Sequence, residues 1–130
     1  MPGNSGQPTI EVRLPASPEL VALLRHIAGA AAARADLTID LLDDTKIACS
    51  EAAILLIQHG LPHADFMWTW TCTPGSVQVC ASAPTKVTDV PNFAEMEGFT
   101  WTVLTSVAQD LSVRVVDSHL VITFSIFETN

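Results

Sequence analysis

The residues whose types could do chemistry include one candidate metal site. His59 and His63 are four residues apart and Asp65 follows closely, and imidazole and carboxylate groups are ligands that zinc accepts. Pro62 interrupts any helix between the two histidines, so the pair does not share a helical face, and the spacing supplies no fourth ligand. We therefore expect no metal site here. Spacing alone also assigns no Ser/His/Asp or Cys/His catalytic set.

The three cysteines, Cys49, Cys72 and Cys80, are odd in number and form no CxxC motif. Reduced thiols in a cytosol fit this pattern best. The N-terminal residues 1–8 lack the charged and apolar regions of a signal peptide and are predicted to form a flexible arm. No apolar run is long enough to span a membrane. A cytoplasmic location is expected.

The charge balance is acidic, with a formal net charge of −8 over 130 residues. The six basic residues are scattered along the chain and form no stripe, so direct nucleic-acid binding is not expected. An acidic protein can still attract a basic protein partner. The length suits one domain, expected over residues 9–130.

The elements that must position any site begin with an alternating strand, Thr9 to Leu14, which Pro15 ends. Ser17 and Pro18 then predict a helix start, with Ser17 as the cap. The small residues from Ala28 to Ala33 on this helix permit close approach of another helix or subunit, and the alternative is that they reflect simple helix propensity. After a connector up to Asp40, a second helix is predicted from Leu42 to His59, with Asp43 and Asp44 in its first turn.

The second half of the chain is mostly strand. Two strands, Asp65 to Thr71 and Val77 to Ala81, flank a Pro-Gly turn, and alternation places Trp68 and Trp70 on one sheet face. A long loop covers Pro84 to Glu97. A third helix is predicted from Phe99 to Leu111, followed by strands Ser112–Val116 and Leu120–Glu128. The fold class predicted is α+β: a two-layer sandwich with a mixed, mostly antiparallel five-stranded sheet and about three helices on one face.

The second predicted helix resembles a known family. Its sequence from Asp44 to Ala52, followed by Ile57-Gln58-His59-Gly60, is similar to the N-box helix of the anti-sigma-factor serine kinases, which are GHKL-type ATPases. The entry Leu14 to Glu19 and the closing helix and hairpin from Gly98 are also similar. The resemblance covers roughly residues 9–128 and is strongest to shortened, divergent members seen in actinobacteria.

The family's nucleotide pocket can be compared position by position. Its N-box has a catalytic Glu and, one turn later, an Asn that holds Mg²⁺; here Glu51 matches the Glu but Leu55 stands at the Asn position. A leucine cannot ligate a hard cation. The family's adenine-binding Asp-x-Gly-x-Gly is replaced by the segment Ala81 to Thr85, and only Gly98 remains of the glycine-rich lid end.

These losses predict a pocket filled with apolar side chains, and Phe93 and Met96 of the long loop are expected to fold into it. Glu51 is then either a retained catalytic base or a carboxylate that pairs with a backbone amide or an arginine. Arg25 matches the family arginine that contacts the sigma factor and its antagonist; the alternative is an ordinary surface arginine.

Three functions remain open. The first, which we prefer, is an anti-sigma factor-like regulator that sequesters an alternative sigma factor without ATP and is released by an anti-anti-sigma factor. The second is an Mg-ATP-dependent serine kinase that phosphorylates the anti-anti-sigma factor, with Glu51 as its catalytic residue. The third is an orphan scaffold domain. The resemblance also makes a homodimer through the first helix and strand an expectation.

Overall fold

The computed structural model describes residues 9–129, so the arm predicted for residues 1–8 lies outside the described residues. Its five strands form one sheet in the order β1-β2-β3-β5-β4. Their bounds are β1 Thr9–Pro15, β2 Asp65–Thr73, β3 Ser76–Pro84, β4 Gln109–Val116 and β5 His119–Phe127. Every neighbouring pair is antiparallel, so the α+β class is confirmed, while the expected mixed character is wrong. The pairs β2–β3 and β4–β5 are hairpins, which fixes their opposite directions.

Alternation along the strands creates one buried sheet face. Val79 on β3 pairs with Trp70 on β2 and with Phe124 on β5, and all three side chains are buried. Trp68 lies one pleat away on the same face, and its ring stacks on that of Trp70 with centroids 5.7 Å apart. The prediction that both tryptophans share a face is confirmed, and they form the centre of the core.

Four α-helices accompany the sheet: α1 Val21–Arg34, α2 Ile39–His59, α3 Phe93–Met96 and α4 Gly98–Val107. A 3₁₀ turn, Pro18–Leu20, precedes α1. Helices α1 and α2 pack on the sheet, and α4 packs on α2. Among residues 9–129, no helix has the length and hydropathy that crossing a bilayer requires.

The starts of both long helices differ from the prediction. Ser17 makes no capping hydrogen bond, and its hydroxyl donates to the Glu19 carboxylate at 2.6 Å. Helix α2 begins at Ile39 rather than Leu42, since Thr38 accepts a hydrogen bond from the backbone N–H of Leu41 at 3.3 Å and caps the helix. The acidic residue in the first turn is therefore Asp40.

The end of α4 is also earlier than predicted. The helix stops at Val107, Ala108 is extended, and Asp110 adopts a left-handed φ of 54° at a register shift in β4. The Gln109 side chain donates to the Phe127 carbonyl at 2.7 Å and accepts from its N–H at 3.1 Å. These two bonds attach the start of β4 to β5, so the chain leaves the helix there.

The small residues of α1 allow close packing within the chain. Ala28, Ala31 and Ala32 are completely buried, and α1 packs along α2. A Cβ placed on Gly29 would lie 3.5 Å from the Lys46 side chain, so the lysine stem lies across this glycine. Of the two uses predicted for these residues, the structure shows the helix contact.

Candidate functional site

Glu51 and Leu55, the two residues of α2 that correspond to the family's N-box Glu and Asn, differ in their exposure to solvent. Glu51 is partly exposed and lines a groove, whereas Leu55, one turn later, is 0% exposed. A magnesium ion needs oxygen ligands, and Leu55 offers neither an oxygen nor access from solvent. The paired geometry of a catalytic Glu and a metal-binding Asn is absent from this helix.

Glu51 and Arg25, the two site residues predicted from the sequence, lie together. They line a groove of about 330 Å³ between α1 and α2, which we call the α1–α2 groove. Its lining residues are Arg25, Asp43, Lys46, Ile47, Ser50 and Glu51. The groove thus combines two basic side chains, two carboxylates and one partly exposed isoleucine.

Hydrogen bonds hold Arg25 in this groove. Its Nε donates to the Ser50 hydroxyl at 3.0 Å, and that hydroxyl donates to the Lys46 carbonyl at 2.8 Å. This uses one of the five guanidinium donors and leaves the terminal nitrogens available. Within residues 9–129 none of the groove's charged groups forms an ion pair, so Glu51 does not pair with Arg25 as the alternative reading expected. The charges remain available to a partner.

The segment Thr85–Glu97, which we call the strap, contacts the last turn of α2. Phe93 is 3% exposed; its ring lies edge-on to His59 with centroids 5.2 Å apart and 5.5 Å from the Trp101 ring. Met96 is 59% exposed. The expectation that both side chains fold inward is correct for Phe93 and wrong for Met96.

Both ends of the strap are attached to the last turn of α2. The Thr85 hydroxyl donates to the His59 carbonyl at 2.6 Å. At the other end, His59 Nε2 lies 3.2 Å from a Glu97 carboxylate oxygen. The Gln58 amide nitrogen, turned toward that carboxylate, lies 3.0 and 2.7 Å from its two oxygens. The strap is therefore held at both ends by the C-terminal turn of α2.

The candidate zinc residues are separated by these contacts. His59 is engaged with Glu97, while His63 lies in a turn with a left-handed φ of 62°. Within the described part of the chain no group of three His, Cys, Asp or Glu side chains has an arrangement that could hold a metal ion.

The remaining nucleotide positions of the comparison are apolar or closed. Ala81 is 0% exposed and Ala83 is 1% exposed on the buried face of β3, and neither side chain can read an adenine amino group. Thr85 is also buried, and its hydroxyl donates a hydrogen bond to the His59 carbonyl. Phe93 and Leu55 belong to the same buried core cluster as Ala81 and Ala83. These residues do not fit a magnesium nucleotide.

The cysteines lie in three unconnected places. Cys49 is fully buried in α2, and burial raises the pKa of its thiol to about 12. Cys72 is buried and donates to the Ala31 carbonyl at 3.4 Å, whereas Cys80 lies exposed on the opposite sheet face. All three are free thiols. A thiol with a raised pKa is a poor nucleophile at neutral pH.

Several groove and strap residues were not singled out from the sequence. Lys46 and Ser50 are four residues apart on α2, as are Ile47 and Glu51. Helical spacing therefore placed them near the Glu51 turn. Nothing in the sequence indicated that Ser50 orients Arg25, or that Glu97 binds His59 across 38 residues.

Comparison with known families agrees with this architecture. Residues 14–126 match the histidine kinase-like ATPase domain, so the chain belongs to that family. It is similar to the anti-sigma-F factor RsbW of two Mycobacterium tuberculosis strains, with 33% identity over 106 residues. The match covers 82% of this chain and 61% of each relative, so the chain spans less than two thirds of those proteins. The resemblance identified from the N-box helix is confirmed.

Proposed function

We propose that this protein is an anti-sigma factor-like regulator that binds and sequesters an alternative sigma factor, and that it does so without ATP. One observation carries the proposal: Glu51 opens with Arg25 onto the α1–α2 groove, while Leu55, one turn later, is completely buried. This arrangement leaves the Arg25 and Glu51 side chains open to a protein partner, whereas the residue at the family's Mg²⁺-binding position is part of the core.

The α1–α2 groove offers a protein partner one oriented arginine and charges of both signs. Arginine is among the residues most frequent at energetic hot spots, and here Ser50 fixes its orientation before a partner arrives. Partly exposed Ile47 supplies an apolar centre among Asp43, Lys46 and Glu51. Unpaired charges of both signs favour one partner orientation over others.

The interior beneath the strap supports function without ATP or Mg²⁺. A bound nucleotide needs a cavity of several hundred Å³ with placed polar groups. Phe93 packs between His59 and Trp101, and Leu55 and Ala81 present no polar atoms on their side chains. Admitting a nucleotide would require the strap to lose its contacts at both ends. We therefore infer that no nucleotide cofactor is used.

A serine kinase acting on an anti-anti-sigma factor is the second candidate, and the retained Glu51 favours it. Its carboxylate is partly exposed and accepts no hydrogen bond from the described residues, so it could accept a proton from a substrate hydroxyl. This candidate requires a nucleotide site elsewhere than beside Leu55, and it predicts phosphate transfer that a Glu51→Gln variant loses.

The test is co-expression of the protein with alternative sigma factors of its source organism, followed by size-exclusion chromatography and affinity measurement without nucleotide. We expect one sigma factor to co-elute, and Arg25→Ala to weaken its binding about tenfold or more. Arg34→Ala is the matched control, because Arg34 is exposed on the same helix but does not line the groove.

If Arg25→Ala and Arg34→Ala weakened sigma-factor binding equally, the α1–α2 groove would not be the binding surface. The absence of any sigma-factor complex would reject sequestration altogether. Addition of an anti-anti-sigma factor is expected to release the sigma factor without ATP. The same chromatography, run on the protein alone with light scattering, tests the expected homodimer.

A further inference from the structure

Helix α4 carries an unusually exposed aromatic side chain. Phe99 is 81% exposed at the start of α4, and Met96, three residues earlier, is 59% exposed. Between them, Gly98 faces open space, since a Cβ built there meets no atom within 4 Å. Met96 and Phe99, which we call the Phe99 patch, thus project from the surface where the strap joins α4.

The Phe99 patch is not needed to hold the domain together. The helix α4 packs on α2, and the side chain it buries is Leu104, while the strap is anchored by Phe93. Phe99 contributes to neither contact. Phe99 and Met96 are three residues apart and both are exposed, and a large exposed aromatic is the type of side chain that supplies much of the binding energy at interfaces.

The chain segment that carries the Phe99 patch has only acidic charged residues. From Thr88 to Asp110 the chain contains no lysine, arginine or histidine, and its acidic residues are Asp89, Glu95, Glu97 and Asp110. Asp89 and Glu95 are exposed. An anionic lipid surface or a nucleic acid would be repelled by this segment. A second copy of the chain would bring the same negative charges together.

We propose that the Phe99 patch is a docking site for a basic amphipathic segment of another protein, separate from the α1–α2 groove. The apolar face of such a segment covers Phe99 and Met96, and its lysines or arginines meet Glu95 and Asp89. Recognition of an amphipathic helix through apolar anchors with complementary flanking charge is a recurrent mode of peptide binding.

The test uses a defined probe and does not depend on any sigma factor. An 18-residue amphipathic helix of leucine and lysine is titrated into ¹⁵N-labelled protein, with a glutamate-for-lysine peptide and a scrambled peptide as controls. We expect the basic helix to bind, with amide shifts centred on residues 95–100. The Phe99→Ser variant should weaken binding about tenfold or more.

Ile39→Ser is the matched control variant, because Ile39 is 73% exposed and is also followed by an acidic residue, Asp40, at the start of α2. We expect it to change the affinity less than about twofold. Met96→Ser provides a second variant should Phe99→Ser fold poorly, and it should also weaken binding.

The proposal is overturned if the basic helix does not bind, or if Ile39→Ser weakens it as much as Phe99→Ser. Equal binding of the acidic peptide, or shifts centred on Asp40 and Asp44, would also overturn it. Sedimentation that shows a Phe99-dependent dimer would assign the patch to a second copy instead.

Discussion

Phe93→Ala is expected to be one of the most destabilising single changes outside the sheet. The side chain is 3% exposed and contacts the rings of His59 and Trp101. Removing a buried phenylalanine ring forfeits up to about 3 kcal/mol of apolar burial, and each aromatic contact adds about 0.5–1.5 kcal/mol. With two such contacts the total is at most about 6 kcal/mol, and the expected cost is the range of about 3–5 kcal/mol measured for Phe→Ala in cores.

Urea unfolding followed by circular dichroism gives the free energy of unfolding for this test. Phe93→Leu, which retains most of the apolar volume, should cost about 1–2 kcal/mol. Met96→Ala is the matched control in the same strap and should change stability by no more than about 0.5 kcal/mol, since Met96 is largely exposed. If Phe93→Ala cost no more than Met96→Ala, the strap packing described here would be wrong.

Three further predictions concern single side chains. Leu55→Asn should lower the free energy of unfolding by about 3 kcal/mol or more, because it buries an amide in place of a fully buried leucine. Isothermal calorimetry should still detect no Mg-ATP binding to this variant. Recovered binding would show that Leu55 alone blocks the site. Burial and then the neighbouring Asp40 and Asp43 raise the pKa of Asp44, so its ionisation opposes folding above that pKa. Asp44→Asn should therefore raise the melting temperature at pH 7, and the gain should vanish as pH falls below 3.8; an unchanged difference across that range would contradict the sign. Burial raises the pKa of Cys80 as well, but Cys80 is exposed whereas Cys49 and Cys72 are buried. In the native protein an excess of thiol reagent at pH 8 should therefore modify Cys80 before the other two, and Cys80→Ser should abolish that reaction. Two reactive thiols in native protein would contradict the fold.

Much of the sheet followed directly from alternation. The pattern around Trp68 and Trp70 predicted which side chains are buried, and the Pro-Gly turn predicted the hairpin between β2 and β3. A period of two is a strong signal because one slip would expose both tryptophans. Local sequence therefore determined this part of the fold.

The helix boundaries could not be obtained in the same way. The true cap of α2 is Thr38, which lay in a stretch read as a connector. The end of α4 depends on Gln109 bonding to Phe127, 18 residues away. Contacts made across the tertiary structure decided both the register of β4 and the last helical residue.

For the candidate site, residue types were more informative than geometry. The family resemblance selected Glu51 and Arg25, and the structure places both in one groove. The sequence did not show that Ser50 positions Arg25. It also did not distinguish Phe93, which folds inward, from Met96, which remains exposed, because both are large and apolar and lie in the same short segment.

The central claim is that the domain binds a protein partner without using a nucleotide. Titration of a fluorescent ATP analogue, with and without Mg²⁺, tests it most directly. We predict no saturable, magnesium-dependent signal up to about 1 mM nucleotide, corresponding to a binding free energy weaker than about −4 kcal/mol. Micromolar binding that requires Mg²⁺ would contradict the account and favour the kinase.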